Sequence, residues 1–126
     1  MSFSVSRRTL GDMAELRVRL YLIFKGYVIL ETNYIAPCGE IDIIAKKKKT
    51  LVFIEVRSKK DTSARYGTPL ETVNGEKQKS IVSAARHYLN CRATDCGSFR
   101  FDVVGVTVRK NGTSALEHVK DAFYTT

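Results

Sequence analysis

Four charged residues lie on two neighbouring β-rich segments of this chain: Glu40 and Asp42 on the first, Glu55 and Arg57 on the second. Because side chains alternate across a strand, the two residues of each pair share one face of their strand. Three carboxylates that meet on one sheet face repel each other, and a divalent cation commonly neutralises such a group. Carboxylate oxygens suit hard ions such as Mg²⁺ or Mn²⁺. The pattern therefore predicts a metal site that activates water and stabilises charge on a phosphodiester.

The connection between the two segments decides whether the charged groups meet. Only Lys46–Thr50 separates Glu40–Ala45 from Leu51–Arg57, which is too short for a crossover helix and predicts an antiparallel hairpin. A loop of four residues, Lys46–Lys49, or of six puts all four charged groups on one face, whereas a five-residue loop without a bulge does not. The alternative to a metal site is a structural salt-bridge network of the same residues.

Helical and strand patterns surround this hairpin and predict one α/β domain with a mixed sheet flanked by helices, in the order α-β-β-β-α-β-β. The predicted elements outside the hairpin are a helix at Leu10–Lys25, a strand from Tyr27–Leu30 towards Tyr34, a helix at Asn74–Leu89, and strands at Phe99–Val108 and Leu116–Val119. The predicted core face of the first helix consists of Leu10, Met13, Ala14, Leu20, Tyr21 and Phe24. Residues 1–8 are expected to be flexible, and residues 58–72 to form a surface loop.

Composition limits the class of protein and its partners. The 126 residues, 44% of them apolar, suffice for one domain, and 21 Lys and Arg against 13 Asp and Glu give a net charge of +8. This charge favours a polyanion or an acidic membrane surface as partner. Since no apolar run approaches the ~20 residues of a membrane span and no secretory signal is apparent, we expect a cytoplasmic protein without a membrane segment. Three cysteines without a C-x-x-C pair predict buried thiols rather than zinc or disulfides.

The order of the motifs resembles a known group of nucleases. Asp42 followed by Glu55-Val56-Arg57 on the next strand is similar to the PD-(D/E)xK signature of restriction-endonuclease-like enzymes. Nearly the whole chain resembles the YraN family of bacterial proteins, which are similar to archaeal Holliday junction resolvases. The motifs that carry this resemblance include Gly26-Tyr27, Gly39-Glu40-Ile41-Asp42, Val52 to Arg57, Tyr66-Gly67, Lys77-Gln78, Arg100 to Val104 and Asp121-Ala122-Phe123.

The resemblance implies a restriction-endonuclease-like core and a Mg²⁺ or Mn²⁺ cofactor. The site residues that it implies are Asp42 and Glu55, the carbonyl of Val56, and an accessory carboxylate from Glu15 or Glu40. One residue departs from the pattern, because Arg57 stands where the superfamily normally has Lys. An arginine keeps the positive charge and can bind a phosphate oxygen, but it cannot lose a proton to act as a base.

Basic residues near the hairpin are candidates for contacts with phosphates. The candidate nucleic-acid-binding residues are Lys59, Lys60 and Arg65 after the hairpin, and Lys77 and Gln78 in the first turn of the second helix. Lys77 and Gln78 project towards the core side of that turn, where they either extend back to solvent or reach the carboxylates. The run Lys46–Lys49 is typical of a solvated turn.

Two other acidic residues have structural interpretations. Glu15 precedes Arg19 by four residues, a spacing that favours a surface ion pair on a helix, although the resemblance gives Glu15 a place at the site. Asp102 shares a strand face with Arg100, which predicts a structural salt bridge rather than a metal ligand.

The function predicted from these observations is a metal-dependent endonuclease that cleaves DNA phosphodiester bonds. The resemblance implies branched DNA as a substrate and a homodimer as the active form. One alternative is a nucleic-acid-binding module with the same fold that does not cleave. Another is a protein-interaction domain whose basic surface binds an acidic partner.

Overall fold

The computed structural model describes residues 7–60, 70–92 and 97–124. Its elements are α1 (Arg7–Phe24), β1 (Val28–Ala36), β2 (Gly39–Lys47), β3 (Thr50–Lys60), a 3₁₀ turn (Leu70–Thr72), α2 (Gly75–Cys91), β4 (Ser98–Val108) and β5 (Ser114–Phe123). The protein is therefore an α/β protein with the predicted order of elements. In the described part of the chain, neither helix is long and apolar enough to cross a membrane.

The five strands form one mixed sheet in the order β1-β2-β3-β4-β5. β3 and β4 are parallel, and the other neighbouring strands are antiparallel. A parallel pair needs a crossover connection, and α2 lies in the segment that joins β3 to β4. α1 packs on one face of the sheet and α2 on the other, so the sheet separates two apolar cores.

The buried face of α1 differs from the predicted one. Leu10, Ala14, Val18 and Leu22, spaced four residues apart, are buried against the sheet. Three residues of the predicted face, Met13, Leu20 and Phe24, are 48%, 56% and 86% exposed. The prediction was right for Leu10 and Ala14 and wrong for these three residues, because apolar residues occur around most of this helix and periodicity alone cannot choose between two apolar stripes.

The start of α2 is set by a side chain, as predicted. The Asn74 side chain accepts a hydrogen bond of 2.9 Å from the Lys77 backbone N–H, which is the expected geometry of a helix N-cap. The turn between β1 and β2 packs tightly on this helix, since a Cβ at Gly39 would collide with the carbonyl oxygen of Ser80. α2 is therefore held at a defined position over the β2–β3 hairpin.

Several predicted boundaries and environments change in the structure. Lys47 pairs with Thr50, so the hairpin loop has two residues rather than four, and the even-numbered register is kept. β3 continues to Lys60, which places part of the predicted loop in a strand, and β5 is longer than expected. Residues 7 and 8 belong to α1, while residues 1–6 lie outside the described residues.

Cys38 and Cys91 are free and exposed rather than buried, and Cys96 lies outside the described residues.

Asp102 has the structural role predicted for it and has more partners than expected. Its fully buried carboxylate accepts hydrogen bonds from Arg100 Nε at 2.9 Å and the Asp121 backbone N–H at 3.0 Å, and lies 2.7 Å from His118 Nε2. Arg100 also donates to the Tyr27 hydroxyl at 2.7 Å. Burial by itself raises the pKa of Asp102, but the hydrogen bonds from His118, Arg100 and Asp121 outweigh it and lower the pKa. The network therefore stabilises the ionised carboxylate under α1.

We expect Asp102→Asn to lower the free energy of unfolding by about 3 kcal/mol at pH 7, because Arg100 loses its buried counter-charge and the hydrogen bond between Asp102 and His118 is disturbed. The folded-state pKa of Asp102 lies below its unfolded value, so this stabilisation is present above the unfolded pKa and is lost as the pH falls through the folded pKa. Urea unfolding at neutral and acidic pH measures the difference, with the exposed Asp12→Asn as control. An equal loss at both pH values would contradict the prediction.

Candidate active site

The β2–β3 ladder ends beside two carboxylates. Its last pair towards the open end of the hairpin is Ile43 with Ile54, and the next residues on the two strands are Asp42 and Glu55. Asp42 Oδ2 accepts a hydrogen bond of 2.8 Å from the Val56 backbone N–H. A side chain thus holds the two strands together at the point where the regular pairing stops.

A change of the buried face of β2 at this point brings together carboxylates from different layers. Ile41 packs in the core under α2 and Ile43 in the core under α1, although residues two apart on a regular strand share a face. Asp42 lies between them and is near both Glu55 of β3 and Glu15 of α1, because it raises the pKa of each. The four charged groups therefore do not share one sheet face, as alternation predicts. Asp42 instead lies where β2 changes from the core under α2 to the core under α1.

Glu55 is the most perturbed carboxyl group of the site. Only 4% of the residue is exposed. Burial, followed by the hydrogen bond and charge repulsion from Asp42, raises the pKa of Glu55 to about 8, while Lys77 and Arg57 oppose the shift. Lys77 Nζ lies 3.3 Å from Glu55 Oε2, but this contact lacks hydrogen-bond geometry, and the buried Oε2 has no hydrogen-bond partner among the described residues. Glu55 therefore has acceptor capacity that its protein surroundings leave unused.

The first turn of α2 supplies one of its two predicted polar groups to the site. Lys77 reaches the carboxylates, and its side chain is still 36% exposed. It therefore both contacts the carboxylates and extends to solvent, the two possibilities that the sequence left open. Gln78 instead donates from Nε2 to the carbonyl oxygen of Val73 at 3.0 Å, across the start of the helix. The hydrogen bonds of Gln78 thus support the turn rather than the carboxylates.

The two candidate accessory carboxylates differ in their surroundings. Burial and then Asp42 raise the pKa of Glu15, whereas Arg19 and the Asn33 side chain lower it, so Glu15 is close to the site. Among the described residues, the predicted ion pair between Glu15 and Arg19 does not form. Glu40 is exposed, and among the described residues its side chain takes part in no hydrogen bond or ion pair. Asn33 has a φ of 51°, a strained conformation that the sequence did not indicate.

The donor set is compatible with a hard cation held mainly by water. In the described part of the chain, no group of three or more His, Cys, Asp and Glu side chains has the geometry of a metal site. Mg²⁺ commonly uses only one or two carboxylates and keeps several waters. Asp42 and Glu55 meet that minimum, and the unpartnered Oε2 of Glu55 is a free acceptor for such an ion. The Val56 carbonyl stays a predicted ligand.

Arg57 follows Glu55 on the same face of β3 and is held by a residue that sequence reasoning missed. Its Nη2 donates a hydrogen bond of 2.7 Å to the carbonyl oxygen of Thr72, and its Nε is buried without a partner among the described residues. Lys59 and Lys60 follow on the same strand. Arg65 and Tyr66 lie outside the described residues.

We expect Glu55→Gln to stabilise the metal-free protein increasingly as the pH rises. Because the pKa of Glu55 is raised from 4.5 to about 8, the folded protein binds the proton more tightly and loses stability between these pH values. The variant avoids this loss, and its advantage at pH 9 should be on the order of 2 kcal/mol. Urea unfolding in a chelator at pH 5, 7 and 9 tests this, with Glu76→Gln on exposed α2 surface as control. A destabilised variant at pH 9 would favour the salt-bridge network.

Comparison with known proteins places these residues in a family. Residues 14–106 match the model of "Uncharacterised protein family UPF0102". A UPF0102 protein of Moorella thermoacetica is 40% identical over 121 residues, covering 95% of this chain and 99% of the relative. A UPF0102 protein of Caldicellulosiruptor bescii is 43% identical over 105 residues, covering 82% and 87%. Both the breadth of the family match and the extent of these alignments show that the chain belongs to the UPF0102 family.

Proposed function

We propose that this protein is a Mg²⁺- or Mn²⁺-dependent endonuclease that cleaves DNA phosphodiester bonds at Asp42 and Glu55. The observation that carries the proposal is the buried Glu55 beside Asp42, with its pKa raised to about 8 and one oxygen unpartnered. Two neighbouring carboxylates, one of them buried, lower the folding stability unless a positive charge lies beside them. A divalent cation supplies that charge, whereas a purely structural pair gains nothing from the unpartnered oxygen.

The residues fit the cation by their chemistry. Asp42 and Glu55 offer oxygen ligands of the type that Mg²⁺ and Mn²⁺ prefer. Glu15, near Asp42, would add a further negative charge beside such a cation. When bound, the cation supplies an activated water and neutralises charge on the phosphate. The Val56 N–H orients the Asp42 carboxylate through its hydrogen bond.

The positively charged side chains of Lys77 and Arg57 are the groups of this chain that bind the phosphate. Lys77 lies 3.3 Å from Glu55 in the metal-free protein, and its partly exposed side chain would also reach a phosphate bound at the carboxylates. Arg57 is oriented by Thr72, and its planar guanidinium binds phosphate oxygens without acting as a base. The net charge of +8 adds affinity for nucleic acid that is independent of base sequence.

A second candidate function is a nucleic-acid-binding module that does not cleave. Arg57 favours it, because the resembling nucleases carry Lys at this position and an arginine cannot exchange the proton. Both candidates keep the basic surface, but only the endonuclease needs a filled carboxylate site. Branched DNA and a homodimer, which the resemblance implies, belong to the endonuclease proposal, since symmetric cleavage of two strands requires two sites.

We expect the protein to cleave DNA in the presence of Mg²⁺ or Mn²⁺. Asp42→Asn or Glu55→Gln should lower the cleavage rate at least about a hundredfold, because each removes a ligand and its charge. Binding in a chelator should stay equal or become tighter, since repulsion of the phosphate is reduced. Gel assays on linear, flapped and four-way DNA measure cleavage, and fluorescence anisotropy measures binding. Asp12→Asn, on the exposed surface of α1, is the charge-matched control. Tight binding with no cleavage in either metal would support the second candidate instead.

We expect Arg57→Lys to retain or raise turnover, because it keeps the positive charge and restores the residue type of the resembling nucleases. Arg57→Ala should lower both turnover and DNA affinity about tenfold, since it removes a charge-assisted contact with phosphate. Steady-state kinetics and anisotropy measure the two quantities, with the exposed Arg86→Ala as a control for net charge. An inactive but folded Arg57→Lys variant would show that the planar guanidinium itself is required.

A further inference from the structure

A cleft of about 280 Å³ lies next to the candidate active site, on the face of the sheet that α2 covers. The side chains and backbone groups that line it include Arg57, Lys59, Thr72, Gly105, Thr107 and Glu117. It lies towards the carboxyl ends of β3 and β4, the parallel pair of the sheet. Ligands of α/β proteins commonly bind beyond the carboxyl ends of parallel strands.

The strand register explains why a cleft forms here. Arg57, Gly105 and Glu117 form one row across β3, β4 and β5, because Gly105 pairs with both of the others. Gly105 is buried and has no side chain, so it forms a floor between two long charged side chains. The small Ala115 in the following row widens the space.

The two walls of the cleft carry opposite charge. Arg57 and Lys59 lie on the β3 side, and the exposed Glu117 lies on the β5 side. Two strand spacings, about 9.6 Å, separate the backbones of Arg57 and Glu117. Within the described residues, no ion pair joins these two side chains across Gly105. A ligand here therefore meets hydrogen-bond donors on one wall and an acceptor on the other.

We propose that this cleft binds one unpaired nucleotide beside the scissile phosphodiester, with its phosphate towards Arg57 and Lys59 and its base against Glu117. This inference rests on the proposed function, because it takes the cleavage point to be at Asp42 and Glu55. Arg57 follows Glu55 by two residues, which is about 6.6 Å along a strand. That step is comparable with the spacing of neighbouring phosphates in an extended single strand.

The chemistry of the walls selects the ligand further. A carboxylate repels phosphate but accepts hydrogen bonds from base amino groups, as acidic side chains do with the N4 amino group of cytosine. A base that is stacked and paired in a duplex must leave the helix to enter a cleft, and this costs least where the base is already unpaired. The substrate class is therefore DNA that contains unpaired nucleotides, and bases with an amino group are preferred over thymine.

The experiment is an NMR titration of the full chain with dCMP and with dTMP in the presence of a chelator. We expect dCMP to shift the amide signals of Gly105, Thr107 and Ala115 and to bind about tenfold more tightly than dTMP. Glu117→Gln should remove most of this preference, and Asp12→Asn, a carboxylate outside the cleft, should keep it. Ala115→Leu should fill the cleft and abolish the shifts, while Ala115→Ser should retain them.

The results separate this inference from the proposed function, because the titration needs neither a metal nor cleavage. Shifts confined to other regions, or an unchanged dCMP affinity in a folded Ala115→Leu variant, would overturn the cleft assignment even if the protein cleaves DNA. Shifts in the cleft without cleavage of any DNA would support the nucleotide site and contradict only the endonuclease. Equal affinity for dCMP and dTMP in the parent protein would overturn the role of Glu117.

Discussion

The repulsion between Asp42 and Glu55 is the constraint on which the site depends. Both carboxylates stand where the β2–β3 ladder ends, and burial of Glu55 prevents water from screening the repulsion. The surrounding groups compensate in part: the Val56 N–H donates to Asp42, and Lys77 approaches Glu55 from the capped start of α2. The compensation is incomplete, because the pKa of Glu55 is still raised to about 8.

A comparison with Asp102 shows what a satisfied buried carboxylate looks like in the same sheet. Asp102 and Glu55 are the buried charged residues of the described part of the chain. Asp102 has partners from Arg100, His118 and Asp121, and its pKa is lowered. Glu55 has a cation at 3.3 Å, a second carboxylate and an unpartnered oxygen, and its pKa is raised. Perturbed carboxylates of the second kind are found more often at functional sites than in structural networks.

The sheet also links the carboxylates to the neighbouring cleft. On the α2 side, the stacked rings of Phe53, Phe101 and Phe123 form an apolar row across β3, β4 and β5. Towards the carboxyl end of β3, the next residues on this face are Glu55 and then Arg57. Polarity therefore increases along the parallel pair, from an aromatic core to a carboxylate and then to an open cleft. One rigid pair of strands thus sets the spacing between the proposed site of cleavage and the proposed nucleotide site.

The sequence alone determined the order of elements, the hairpin, the Asn74 cap and the pairing of Asp102 with Arg100, because each depends on local periodicity or on neighbours close in the chain. It did not determine the buried face of α1, where apolar residues such as Met13 and Val18 occur on both sides of the helix and only packing on the sheet selects one. Nor could alternation place Asp42 between Glu15 and Glu55, since Ile41 and Ile43 on either side of it pack in different cores, a change of face that depends on tertiary packing. The contacts of Arg57 with Thr72 and of His118 with Asp102, and the cleft over Gly105, join segments distant in the chain. Only the tertiary structure decides such contacts, because the spacing of residues along the chain does not specify which distant segments lie side by side.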